Sequence, residues 1–259
     1  MKAALSTILL VAFVSLQASA QTNGPAVFLK DGKLDLDAVV KHFEDMYRSD
    51  SSISKARLTV TKPRRTRTME MDVWTKGEEK ALIVITAPAR EKGTASLKVG
   101  KNLWNYMPRI KRTIRIPPSM MLGSWMGSDF TNDDVVRESS FEKDYTYELA
   151  GRSEDPAGWL VVFRAKPDVV GLWQKMEVVM SNDGTIPLVA KYYDRKGRLS
   201  RTMRWDQVKQ FGTRRIPARM TLVPLDKKGH KTEMVYEDIK FDVDVPESTF
   251  SLSRLERAR

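Results

Sequence analysis

The chain has 259 residues, no cysteine, and 44 Lys and Arg against 33 Asp and Glu, a formal net charge of +11. Without cysteine it forms no disulfide and no thiolate metal site. A surface this basic points to phosphate or other anionic partners.

The first twenty residues narrow the choice. Lys2 supplies a positive start, Ala3 to Leu16 an apolar run, and Ala18-Ser19-Ala20 the small residues of a cleavage site before Gln21. That run is too short to cross ~30 Å of hydrocarbon. Gln21 stands where a lipoprotein would need cysteine. The expectation is a signal peptide over 1–20 and a single exported, unlipidated domain over 21–259, located in the periplasm. Export argues against nucleic acid and leaves acidic lipid headgroups, lipopolysaccharide or an acidic protein face.

Residues 34–49 predict a helix, because Leu36, Val39, Val40, Phe43, Met46 and Tyr47 recur at three- and four-residue spacing and Asp35 or Asp37 can cap it. From Lys55 the period changes to two. "ARLTVT", "RTRTMEMDVW", "ALIVIT", "NLWNYM" and "RTIRI" read as strands. After residue 140 the same holds for "DYTYEL", "WLVVFRA", "KMEVVM", "LVAKYYD", "LSRTMRW", "RMTLVP" and "TEMVYEDIKFDV". Turn residues separate them, as at Lys76-Gly77, Asn182-Asp183-Gly184 and Asp226-Lys227-Lys228-Gly229. The predicted class is mainly β (α+β): a strongly curved, incompletely closed antiparallel β-barrel of about eleven strands. The N-terminal helix and a helical plug would cover its apolar cavity.

The plug is the passage "PPSMMLGSWMGSDFTNDDVV". Pro117-Pro118 ends a strand. Met120, Met121, Leu122, Trp125 and Met126 then follow, interrupted by Gly123 and Ser124, and Thr131 with Asp134 predicts a helix start near residue 132. Two readings fit the apolar cluster: packed core, or a compliant lining for a hydrocarbon ligand, a use to which methionine is suited. Met69 and Met71 would join the lining. Arg64, Arg65 and Arg67, with Arg109, Lys111, Arg112 and Arg115, form two basic stretches that read either as solvated strand faces or as one rim for a headgroup or partner.

Catalytic constellations are sparse. His42 and His230 show no metal-ligand spacing, and there is no nucleophile elbow, phosphate loop or zinc signature. Asp133/Asp134 and Glu78/Glu79 read as capping and turn residues. No cofactor, metal or catalytic residue is expected.

The passages "LWNYMPRIKRTIRIPPS…GSWMGSDFTNDDVV", "PLVAKYYDRKGRLSRTMRWDQV" and "DIKFDVDVPESTFSLSRLER" resemble the outer membrane lipoprotein-sorting (LolA-like) proteins, over roughly residues 35–256. Trp104, Tyr106, Met107 and Pro108 match that family's strand run, and Gly127, Ser128, Asp129 and Phe130 its central motif. The resemblance implies a half-open sheet around an apolar cavity for acyl chains, and work beside an inner-membrane transporter of the RND or lipoprotein-export type. The expected function is a monomeric, non-enzymatic carrier of lipid or lipoprotein acyl chains that touches membrane surfaces transiently. Trp104, Tyr106, Met107 and Phe130 join the expected cavity residues. The alternative is a regulatory or sensor binding module on the same fold that docks on a membrane-protein domain, followed by a hydrolase or glycan-modifying enzyme.

Overall fold

In a computed structural model of the chain, the residues described are 28–30, 32–47, 49–136, 141–167 and 173–258. The expected signal peptide lies outside them. A short ribbon of β1 (Leu29–Lys30) and β2 (Lys33–Leu34) leads into helix α1 (Leu36–Asp45). Asp35 caps α1 by accepting from the Ala38 amide at 3.2 Å. The Asp35→Ala change is expected to cost about 1 kcal/mol, read as a lower melting temperature.

Six strands then follow as a meander: β3 (Ser51–Lys62), β4 (Arg65–Lys76), β5 (Lys80–Ala87), β6 (Ala95–Val99), β7 (Asn102–Met107) and β8 (Arg112–Arg115). The plug passage comes next, with 3-10 turns at Pro118–Met120 and Trp125–Gly127 and helices α2 (Asn132–Val136) and α3 (Phe141–Asp144). A second meander comprises β9 (Tyr145–Glu154), β10 (Ala157–Ala165), β11 (Lys175–Met180), β12 (Pro187–Tyr193), β13 (Leu199–Phe211), β14 (Arg214–Pro224) and β15 (Lys231–Phe241). Helix α4 (Leu252–Glu256) ends the chain. Strand β15 pairs with β3, with Met234 opposite Leu58, and so joins the meanders into one antiparallel sheet of thirteen strands, β8 at one edge and β9 at the other. The sheet curves without closing.

Twelve of the thirteen strands fall on the predicted runs, and the one outside them is β6. Its sequence, "ASLKV", lacks both alternation and β-branched residues until its end, yet Ala95, Ser96, Leu97 and Lys98 are all buried. Both faces of the sheet are covered here, so the period-two signal vanishes. The neighbouring run "ALIVIT" is continuously apolar for the same reason. Leu82 and Val84 face outward beneath Val245, Phe250, Leu255 and Ala258, whereas Ile83 and Ile85 face inward.

The inner face holds the main core. Helix α1 lays Val39, Val40 and Phe43 against Met203, Trp205 and Leu222, and Met46 and Tyr47 just after it pack with Ile216 and Ile239. Its polar edge is fixed by His42, whose Nε2 donates to the Thr185 carbonyl at 2.9 Å. Burial lowers the His42 pKa below its usual value, more than that hydrogen bond raises it.

Candidate functional site

The plug crosses the inner face in front of β3–β7 and is tied down at four points. Trp125 is 1% exposed and packs with Leu58, Met69, Met71 and Ile85. Its indole N–H donates to Ser96 Oγ at 3.0 Å, and that hydroxyl donates to Asn105 Oδ1 at 2.6 Å. Arg67 on β4 donates to the Met126 carbonyl. Met126 has φ 50° and Gly127 φ 69°, so the chain turns through the left-handed region twice in succession. Gly127 does so without cost; Met126 is held there against its preference.

The third tie is Asp129. Its Oδ2 accepts from Thr232 Oγ1 on β15 at 2.7 Å, its amide donates to the same hydroxyl at 3.0 Å, and its Oδ1 lies 3.4 Å from His230 Nδ1. The fourth is an ion pair at the start of α2. Asp134 completes the expected helix start, accepting from the Thr131 amide at 2.8 Å while its own amide donates to Thr131 Oγ1 at 3.1 Å. The same carboxylate takes two hydrogen bonds from Arg201 on β13, at 2.6 and 2.7 Å. The Arg201 side chain is 5% exposed, and its guanidinium lies over Trp173 at 4.2 Å and Tyr192 at 4.5 Å. Burial alone would raise the Asp134 pKa. The Arg201 charge and the Arg201 and Thr131 hydrogen bonds outweigh it and hold the carboxyl below its usual range.

The sequence-selected residues fall into several groups. Trp125, Met69 and Met71 converge on the inner face, with Phe130 bridging that cluster and the one beneath α1. Met126 is half-buried beside them. Met121 instead packs on Leu103 and Ile116. Met120 and Leu122 point outward, 54% and 56% exposed. Trp104 and Tyr106 lie on the opposite face, with Leu97 and Val99 near the C-terminal segment. Alternation along β7 causes this split, because Leu103 and Asn105 take the inner positions. Gly127, Ser128 and Asp129 form the tie itself; Ser128 Oγ donates to the Trp125 carbonyl at 2.7 Å.

Between α1 and the plug, the inner face keeps a half-buried apolar strip of Met220, Met234, Tyr236, Val73 and Phe130. Nearby strand positions add Met176, Met180 and Met203. Asn132 Oδ1, Arg201 Nε and Trp205 Nε1 are buried with no hydrogen-bond partner among the described residues. At one end of the sheet, by contrast, a recess of about 410 Å³ is polar, lined by Asp45, Ser49, Asp50, Gly77, Glu78, Arg214 and Asp242.

Arg201 is not among the residues that the sequence patterns single out. The signal was present in "LSRTMRW": the alternation that places Met203 and Trp205 inward puts Arg201 on the same apolar face. A charge in an apolar register needs a buried partner.

A family model described as "Uncharacterized protein" matches residues 77–257. No curated protein matches the chain. Three crystal structures share its fold. A DUF1329 family protein from Desulfovibrio piger is 23% identical, with a TM-score of 0.75 over 85% of this chain and 96% of that one. A putative outer membrane lipoprotein-sorting protein domain from Vibrio parahaemolyticus is 21% identical, with a TM-score of 0.72 over 85% and 97%. A LolA superfamily protein from Nitrosomonas europaea is 22% identical, with a TM-score of 0.70 over 84% and 98%. The fold is LolA-like.

Proposed function

The chain belongs to the family whose model it matches over residues 77–257, and on its LolA-like fold we propose that it is a periplasmic carrier. It binds the acyl chains of a lipid or lipoprotein on the inner face of the sheet and performs no covalent step. The observation that carries this reading is the inner face itself: a methionine-rich apolar surface whose cover is a short connection fixed by a few polar ties. Methionine adapts to ligands of variable shape.

Exposing a sixteen-carbon chain to water costs on the order of 12 kcal/mol at ~0.8 kcal/mol per CH₂. The half-buried strip of Met220, Met234 and Phe130 is where such a chain would first make contact. Lengthening that contact beneath the plug requires the ties at Ser96, Arg67, Thr232 and Arg201 to release in turn. The unpartnered N–H groups of Arg201 Nε and Trp205 Nε1 can donate to the ester or carboxyl end of the ligand. Trp104 and Tyr106, on the other face, stand outside this proposal.

The test is lipid extraction of the purified protein followed by mass spectrometry, with titration of a fluorescent fatty acid. Bound acyl lipid, saturable uptake and a roughly tenfold weaker uptake in Met234→Gln are expected, the last from losing about 1.4 kcal/mol of apolar contact. Absence of both bound lipid and uptake would refute the reading. Passage of cargo to or from an inner-membrane transporter belongs to the same proposal. Transfer of labelled lipid between membrane fractions is its readout.

A further inference from the structure

The antiparallel topology gathers hairpin turns that are distant in sequence at one end of the sheet. The β3–β4 turn, the β5–β6 connection, the β7–β8 turn and the β14–β15 turn all emerge there. The β14–β15 turn abuts the β3–β4 turn, since a Cβ on Gly229 would lie 3.2 Å from Pro63 Cγ. This end bears Arg64 and Arg65 on one turn, Arg109, Lys111 and Arg112 on another, and Lys227 and Lys228 on a third, all exposed. None of the seven has an acidic partner among the described residues. Glu91 is engaged by Arg90 and Arg67, and Asp194 by Arg198. Arg115 does not belong to the group, because it points to the other end of β8 and bonds Asn102.

Two large apolar side chains stand at the tips of these basic turns. Ile110 is 56% exposed between Arg109 and Lys111, and Leu225 is 49% exposed, with the exposed Asp226 between it and Lys227 and Lys228. At the opposite end of the sheet, Asp45, Asp50, Glu78 and Asp242 line the polar recess together with Arg214, and Lys76 and Lys80 pair with Glu247. An acidic protein face would be matched by the cations alone. Protruding apolar tips ringed by cations match a surface that is anionic outside and hydrocarbon just beneath.

We propose that this end docks on an anionic membrane surface, Arg109, Lys111, Arg112, Lys227 and Lys228 meeting headgroup phosphates while Ile110 and Leu225 enter the interface. The docking is independent of whether the inner face carries a ligand. Each cation near such a surface adds about 1 kcal/mol of attraction, roughly fivefold in affinity. The attraction fades beyond a Debye length of ~10 Å at 0.1 M salt.

The experiment is flotation of the full chain with vesicles of phosphatidylcholine alone or with a third phosphatidylglycerol, at low and high salt. Binding only to the anionic vesicles, reduced by salt, is expected. Ile110→Ser and Leu225→Ser should each weaken it about tenfold, and Lys227→Glu with Lys228→Glu by more than that. Unchanged melting temperatures will show that these exposed turn variants remain folded. Equal behaviour on both vesicle types would overturn the proposal. So would loss of binding on charge reversal with no effect of either serine variant, which would leave an electrostatic patch suited to an acidic protein. Because the readout is vesicle binding, its failure leaves the fatty-acid titration untouched, and the converse also holds.

Discussion

Asp134→Asn is expected to destabilise the protein by about 3–5 kcal/mol, the cost of leaving a buried cation uncompensated. The Arg201 guanidinium sits between Trp173 and Tyr192 with both of its carboxylate bonds supplied by Asp134. It cannot lose its proton to escape the apolar surroundings. Arg201→Met removes the charge from the other side and strands the carboxylate, which can protonate or reach solvent, so its cost should be smaller. With both charges gone, the pair Asp134→Asn and Arg201→Met should cost less than the sum of the single changes. Urea denaturation of the four proteins measures this, and strict additivity would show that the two groups do not act together.

The same pair sets an acid limit. A carboxyl whose folded pKa lies below its unfolded value binds fewer protons in the folded state. Its contribution is complete above the unfolded value of about 3.9 and is lost as pH falls through the depressed folded value. Wild-type stability should therefore fall more steeply below about pH 4 than that of Asp134→Asn. Parallel acid limbs in the two proteins would contradict the assignment.

Trp125→Ala is the second large effect, an expected loss of about 3–5 kcal/mol. The indole is the largest side chain beneath the plug, and its removal leaves a space bounded by Leu58, Met69, Met71 and Ile85. Trp125→Phe keeps most of that packing and gives up the bond to Ser96, a change of about 1 kcal/mol. A dry apolar cavity of this kind takes up apolar ligands. The alanine variant should therefore bind a fluorescent fatty acid more tightly than wild type even as it unfolds at lower denaturant concentration. If uptake falls along with stability, the plug does not compete with the ligand for the inner face.

Much of this arrangement was legible before the fold. The period-two runs gave the strands of both meanders, and Thr131 with Asp134 gave the start of α2. Trp125 was singled out within a passage where packed core and ligand lining could not be told apart. In the structure it is buried against Leu58, Met69, Met71 and Ile85. The cluster around it separates because a connection has no fixed periodicity: Met121 turns to Leu103 and Ile116, and Met120 and Leu122 turn to solvent. Trp104 and Tyr106 shared a strand with inner-face residues and could not be assigned a face until the C-terminal segment was seen to cover theirs. Strand β6 was silent because it is covered on both sides.

What the sequence settled on its own was local: where strands begin and turn, which residues start the helices, and how much cation the chain carries. Those follow from φ/ψ preference, side-chain periodicity and counted charge, all short-range properties. Tertiary structure alone decided that β15 returns to β3, that Asp134 meets Arg201 across 67 residues of chain, and that the basic turns share one end. Each of these is a long-range pairing selected by burial and by the register of the whole sheet. A stretch of one strand carries no record of which neighbour will satisfy it.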